Sequence, residues 1–204
     1  MTISIKQANN RSAPKRRVAI ADAAISVLAR KGSRGLTHRA VDATLDLPLG
    51  SAANYFATRS MLLSAVAERL AELDRASGTL NVNSHEPPKD MGDVAALLSA
   101  LLEGWLSGVP RERQLARIEL LLEATRDEKL DALFSELRKR FVNDLAGVLA
   151  ELGASRAADR AASAIVVFDG LLFDQLLYQR VYLDRRHFEA LILVVLESST
   201  TAKA

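Results

Sequence analysis

A chain of 204 residues, 49% hydrophobic and 25% charged, can bury a sizeable core and is neither a disordered tail nor a fibrous repeat. It has no cysteine, which excludes disulfides, thiolate nucleophiles, Cys-ligated zinc and iron–sulfur clusters, and its longest apolar run, Ala190 to Leu196, is too short to span a bilayer. The net charge of +2 conceals a division: residues 1–60 carry ten basic groups against three acids, whereas the remainder is net acidic by five. A basic segment joined to a mildly acidic body points to a polyanion as the partner of the first part of the chain.

Alternation of apolar and polar residues is nearly absent and aromatics make up only 5%, so the pattern predicts an all-α protein. Ser12, Ala13 and Pro14 offer a cap and a first turn to a helix over 14–31, in which Val18, Ala21, Ile25 and Leu28 recur at helical spacing and which Gly32 ends. Thr37 is a fitting cap for a short helix over 38–45 that turns Val41 and Leu45 inward and Arg39 outward, and Asp46-Leu47-Pro48 breaks it. A third short helix follows over 49–55, and Thr58 caps a fourth that carries Leu62, Leu63, Val66, Leu70 and Leu73. Two short helices joined by a tight turn make a helix-turn-helix pattern.

Residues 77–90 are rich in turn formers and predict a linker. Beyond it the periodicity predicts five helices, over 91–107, 111–125, 128–152, 155–181 and 185–198. The eighth is almost wholly apolar from Ala161 to Leu177 and needs cover on nearly every side, which in a chain this small suggests a second subunit. The expected organisation is a flexible basic leader over 1–13, a helix-turn-helix domain over 14–57, a connecting helix over 58–77, a linker over 78–90 and a second domain over 91–204.

Catalytic patterns are missing. His38, His85 and His187 lie in three separate segments, none with a second His or a paired carboxylate at metal-ligand spacing, and there is no Gly-rich phosphate loop, nucleophile elbow or HExxH. No catalytic residue, cofactor or metal is expected, and with no secretory or membrane segment the cytoplasm is the expected compartment.

The run Ala21-x-x-Ala24, Gly32, Gly35-Leu36-Thr37, Val41, then Leu47-Pro48-Leu49-Gly50-Ser51 and Asn54-Tyr55-Phe56-Ala57-Thr58-Arg59-x-x-Leu62-Leu63 resembles the DNA-binding domain of TetR-type transcriptional regulators. The resemblance implies a three-helix reading head whose third helix enters the major groove of double-stranded DNA, a connecting fourth helix, and a helical domain that binds an effector and dimerises. With the basic groups at the start of the first helix included, the residues expected at DNA are Lys15, Arg16, Arg17, Thr37, His38, Arg39, Leu49, Gly50, Ser51, Ala52, Asn54, Tyr55 and Arg59. The chain departs from the family at Ala53, where a phosphate-contacting Tyr is usual; Asn54 and Tyr55 are the neighbours able to take over part of that role. Small residues at Gly50 and Ser51 would let backbone N–H groups approach phosphate, and Leu36 and Phe56 read as core.

Motif transfer stops beyond residue 90. Candidate effector contacts are the apolar and aromatic residues Leu101, Trp105, Ile118, Leu122, Phe134, Phe141 and Phe168, with Asp169 as a carboxylate embedded in an apolar helix that needs a partner. The expected dimer interface uses Ile165, Phe168, Leu171, Leu172, Leu176, Leu191, Val194 and Val195 of the last two helices. Two-fold symmetry then implies a near-palindromic operator. The expected function is a homodimeric repressor that leaves its operator when a small apolar or amphipathic molecule binds. The competing reading is an all-α small-molecule carrier or enzyme with a basic N-terminal docking segment.

Overall fold

The computed structural model describes residues 4–76, 87–178 and 183–198, with side chains from Pro14 onward. Among them are α1 (Ser4–Gly35), α2 (His38–Thr44), α3 (Ser51–Tyr55), α4 (Arg59–Ala76), α5 (Met91–Trp105), α6 (Gly108–Ala124), α7 (Glu128–Glu151), α8 (Ala157–Leu177) and α9 (Arg185–Glu197), and no strand. The all-α expectation holds. The linker expected over 77–90 and the last residues of the helix expected over 155–181 fall largely or wholly outside the described residues.

Local signals fix most of the ends. Thr37 caps α2 by accepting the Ala40 N–H at 3.1 Å, and Thr58 does the same for Met61 at 3.2 Å at the start of α4. Asp90 and Asp184 cap α5 and α9 through the N–H groups of Asp93 and His187. The start of α1 is a correction: the helix begins at Ser4, and Pro14 lies inside it instead of opening it, so Ser12 is not its cap. Residues 4–13 contain neither Gly nor a second Pro, and one lost backbone hydrogen bond at Pro14 does not stop the run. Gly32 does end the regular part of α1, because its φ of 66° is open to glycine at no steric cost.

The chain divides into two compact units, Met1–Asp74 with Glu112–Phe134, and Arg75–Arg111 with Ser135–Ala204. In the first, α2 packs on α1 and on α3. Its core is built from Ile20, Ala24 and Leu28 of α1, Val41, Ala52, Phe56, and Leu62, Val66 and Leu70 of α4, with Leu36 and Phe56 buried as expected. In the second, α5, α8 and α9 pack on one another. Val94, Leu98 and Leu102 of α5 join Ala161, Ile165, Phe168, Leu172 and Leu176 of α8 and Phe188, Ile192 and Leu196 of α9, each set at three- or four-residue spacing. Arg111 and Arg160 donate to the carbonyls of Leu176 (3.3 Å) and Leu196 (3.1 Å), satisfying the C-terminal ends of α8 and α9.

Among the described residues, only one side of α8 is covered. Val166, Gly170, Phe173 and Leu177 form an exposed stripe along its other side, and α9 exposes Leu191 and Val194. No helix among the described residues is by itself long and apolar enough to cross a membrane.

Candidate functional site

The link between α2 and α3 is held by one carboxylate. Asp42, on α2, is fully buried and accepts the N–H of Gly50 at 2.8 Å through Oδ2 and that of Ala52 at 2.7 Å through Oδ1. Its backbone carbonyl takes the N–H of Leu47 at 2.9 Å. Asp46 and Gly50 supply the left-handed residues of the connection, with φ of 50° and 89°. Gly50 stands at the N-cap of α3 without a side chain to cap with, so Asp42 caps from the neighbouring helix. Ser51 closes the turn, its N–H and hydroxyl both donating to Pro48 O, at 3.1 and 2.6 Å.

These bonds correct one expectation. The N–H groups of Gly50 and Ala52 point at Asp42, which leaves them committed and unavailable to phosphate. Ala52 is also wholly buried and faces the core, so it is not a surface contact.

Three of the expected DNA contacts hold the head together. Arg17 donates to Tyr55 O at 2.8 Å and lies over the Phe56 ring, 4.3 Å from its centroid. The His38 ring meets Phe56 O through Nε2 at 2.6 Å; a carbonyl only accepts, so Nε2 carries the proton. Arg59 donates to Leu36 O (2.6 Å), Ser33 O (2.9 Å) and Ser33 Oγ (2.6 Å), tying the start of α4 to the end of α1. Thr37 is exposed, its hydroxyl engaged in the α2 cap.

The outward groups are Lys15, Arg16, Arg39, Leu49, Gly50 and Asn54, with Ser51, Ala53 and Tyr55 half-buried. Lys15, Arg16 and Arg39 hold no hydrogen bond or ion pair among the described residues. From Leu47 to Thr58 there is no charged side chain. The surface is therefore an uncharged turn and short helix in a head whose free cations lie on α1 and α2.

Sequence reasoning missed Asp42, whose signal was a helix opening on Gly50 with no polar side chain to cap it. It also missed Glu119 and Glu123 of α6. Glu119 accepts the Ser33 N–H at 2.9 Å just past the Gly32 bend, Glu123 accepts the Ser33 hydroxyl and lies 3.8 Å from Arg59, and Glu112 pairs with Arg30 at 2.7 Å. No local pattern marks them, because every partner lies on a different helix, far away in sequence.

The expected effector residues fall into both units. Ile118 and the buried Phe134 belong to the first, as does Leu122, which is exposed. In the second, Trp105 and Phe141 meet Phe168 edge-on at 5.5 and 6.2 Å between ring centroids, with Leu101 half-buried on α5. Asp169 is not embedded: it lies on the exposed side of α8 and is paired with Arg138 of α7. No group of three or more His, Asp or Glu gathers as a metal site among the described residues.

Of the expected interface residues, Ile165, Phe168, Leu172 and Leu176 are buried in the core of their own unit and are not free to meet a second subunit. Leu171 and Val195 are half-buried, and Leu191 and Val194 are exposed. The apolar stripe left outside runs instead through Val166, Phe173 and Leu177, because apolar residues occupy nearly the whole circumference of α8 and sequence alone does not say which arc faces inward.

Residues 89–198 match the family model described as the tetracyclin repressor-like C-terminal domain. A curated relative from Xanthobacter autotrophicus, an uncharacterized HTH-type transcriptional regulator in the dhlA 5′ region, is 32% identical over 151 residues, 72% of this chain and 70% of its own. Among solved structures, a TetR family member from Streptomyces coelicolor A3, SCO1917, is 30% identical with a TM-score of 0.71, covering 89% of this chain and 98% of its own. The multidrug binding protein EbrR, complexed with ethidium, is also 30% identical with a TM-score of 0.68 and the same coverage.

Proposed function

The chain belongs to the TetR family of transcriptional regulators, and on that footing we propose that it is a homodimeric repressor released from a near-palindromic operator by a small apolar or amphipathic molecule. The observation that carries this reading is the division of work within the head. Arg17, His38, Asp42 and Arg59 are bonded inward and make the turn rigid, while Lys15, Arg16 and Arg39 remain free for phosphate or base edges around it. A base-reading turn held this way loses little freedom on binding.

Pairing through α8 and α9 buries the stripe of Val166, Phe173 and Leu177 with Leu191 and Val194, and it supplies the two-fold axis that a near-palindromic site requires. For the effector, the relative complexed with ethidium supports a planar, amphipathic class of guest. The half-buried Trp105 and Phe141, set against Phe168, offer aromatic faces and edges for it.

The test is selection of duplexes from a random pool by the full-length protein, then release of the chosen fragment measured by anisotropy against a panel of planar cations and neutral aromatics. The expected result is enrichment of two-fold related half-sites and release by at least one panel class, with quenching of the chain's one tryptophan. Failure to enrich any duplex would overturn the regulator reading; tight DNA binding that no compound weakens would leave a regulator without this kind of effector.

A further inference from the structure

Leu49 is 76% exposed, more than any other large apolar side chain among the described residues, and it sits in the turn that enters α3. Its position is not loose. Leu47 N–H is tied to Asp42 O, Gly50 N–H to the Asp42 carboxylate, and Ser51 to Pro48 O, so the backbone on both sides of Leu49 is fixed by hydrogen bonds. A rigidly displayed, solvent-facing leucine gains nothing for the fold. On a surface that meets duplex DNA, the apolar group it can bury against is the C5-methyl of thymine, the methyl group that a base pair offers in the major groove.

The rest of the turn agrees. Ala53 is a second methyl, Asn54 is exposed and has the donor–acceptor pair that fits adenine N6 and N7, and no Arg or Lys occurs from Leu47 to Thr58 to read guanine. We infer that Leu49 is a specificity-determining residue that reads a thymine methyl, and that the base pairs under α3 are chosen as A·T. This rests on the regulator reading above and names the chemistry of the base it recognises. Arg39, on α2, is the group left for a guanine or a phosphate outside that stretch.

The experiment uses the full-length protein and the duplex it selects, with each thymine of one half-site replaced in turn by uracil, which removes the methyl and keeps every hydrogen bond. One position is expected at which uracil weakens the parent by about four-fold, the value of one buried methyl group. The Leu49→Ala variant, whose side chain is at the surface and whose melting should match the parent, is expected to bind both duplexes equally at that position. Loss at no thymine, the same loss in Leu49→Ala, or a half-site of G·C pairs throughout would overturn the inference while leaving DNA binding in place. A protein that selects no duplex fails at the regulator reading instead, so the two failures are distinct.

Discussion

Asp42 holds a fully buried carboxylate whose two oxygens each accept one amide of the next helix. Charge-assisted bonds of this kind are about twice as strong as neutral ones. Removing the acceptor leaves two N–H groups without a partner, so Asp42→Ala is expected to destabilise the head by about 2–3 kcal/mol in urea unfolding. DNA affinity should fall with it although Asp42 faces the core. The arginines separate by the same logic. Arg59→Ala should cost about 1–2 kcal/mol of stability, since it removes at once the donors to Leu36 O, Ser33 O and the Ser33 hydroxyl. Arg39→Ala should leave melting unchanged and weaken DNA binding by about 1–3 kcal/mol. Equal melting of all three proteins would show that the inward bonds do not hold the head.

Helix α9 begins at Asp184, which accepts the His187 N–H at 3.1 Å and meets its ring Nδ1 at 2.7 Å. The His187 side chain first, and its backbone N–H second, hold the Asp184 carboxyl below the usual aspartate range. A carboxyl whose pKa is depressed on folding adds stability above its unfolded value, and that contribution is lost as pH falls through the folded value. The first turn of α9 is therefore expected to loosen below about pH 4, visible as a shift of the His187 amide resonance that Asp184→Asn abolishes. A resonance titrating alike in both proteins would place the change elsewhere. Such caps were open to sequence reasoning because they are local: Thr37 and Thr58 stand where their side chains meet the nearby N–H groups. The start of α1 was not, since proline is favoured in a first turn and disfavoured within a helix, and the signal at Pro14 therefore pointed to a start where the helix in fact continues through it. Nor was the inner face of α8, where Ile165 and Val166 are adjacent, both apolar, and opposite in exposure. Asp169 misled for the same reason: an acid among apolar neighbours reads as buried until the helix is given an outside.

At the scale of the molecule, the two arcs of α8 make different predictions for the same kind of change. Phe173→Glu, on the outward stripe, should give folded monomers by sedimentation, with helical circular dichroism retained and operator affinity reduced by orders of magnitude through lost bivalency. Phe168→Glu, in the core beside Trp105 and Phe141, should give unfolded or insoluble protein. A parent protein that sediments as a stable monomer would rule out the pairing.

Gly170 lies within the outward stripe of α8, and a Cβ built on it meets nothing within 4 Å. In a single subunit this glycine is a net loss: alanine would fit the space and restrict the unfolded backbone, adding about 0.5–1 kcal/mol to a helix interior. Were two copies of α8 to pair as proposed, the balance would reverse, because a position without a side chain lets backbones approach more closely there than at Val166 or Phe173 on either side. In the dimer proposed above, the crossing point of the two helices, and with it the register of one subunit against the other, would then be set by a missing carbon, with the chain entropy of Gly170 as the cost of alignment.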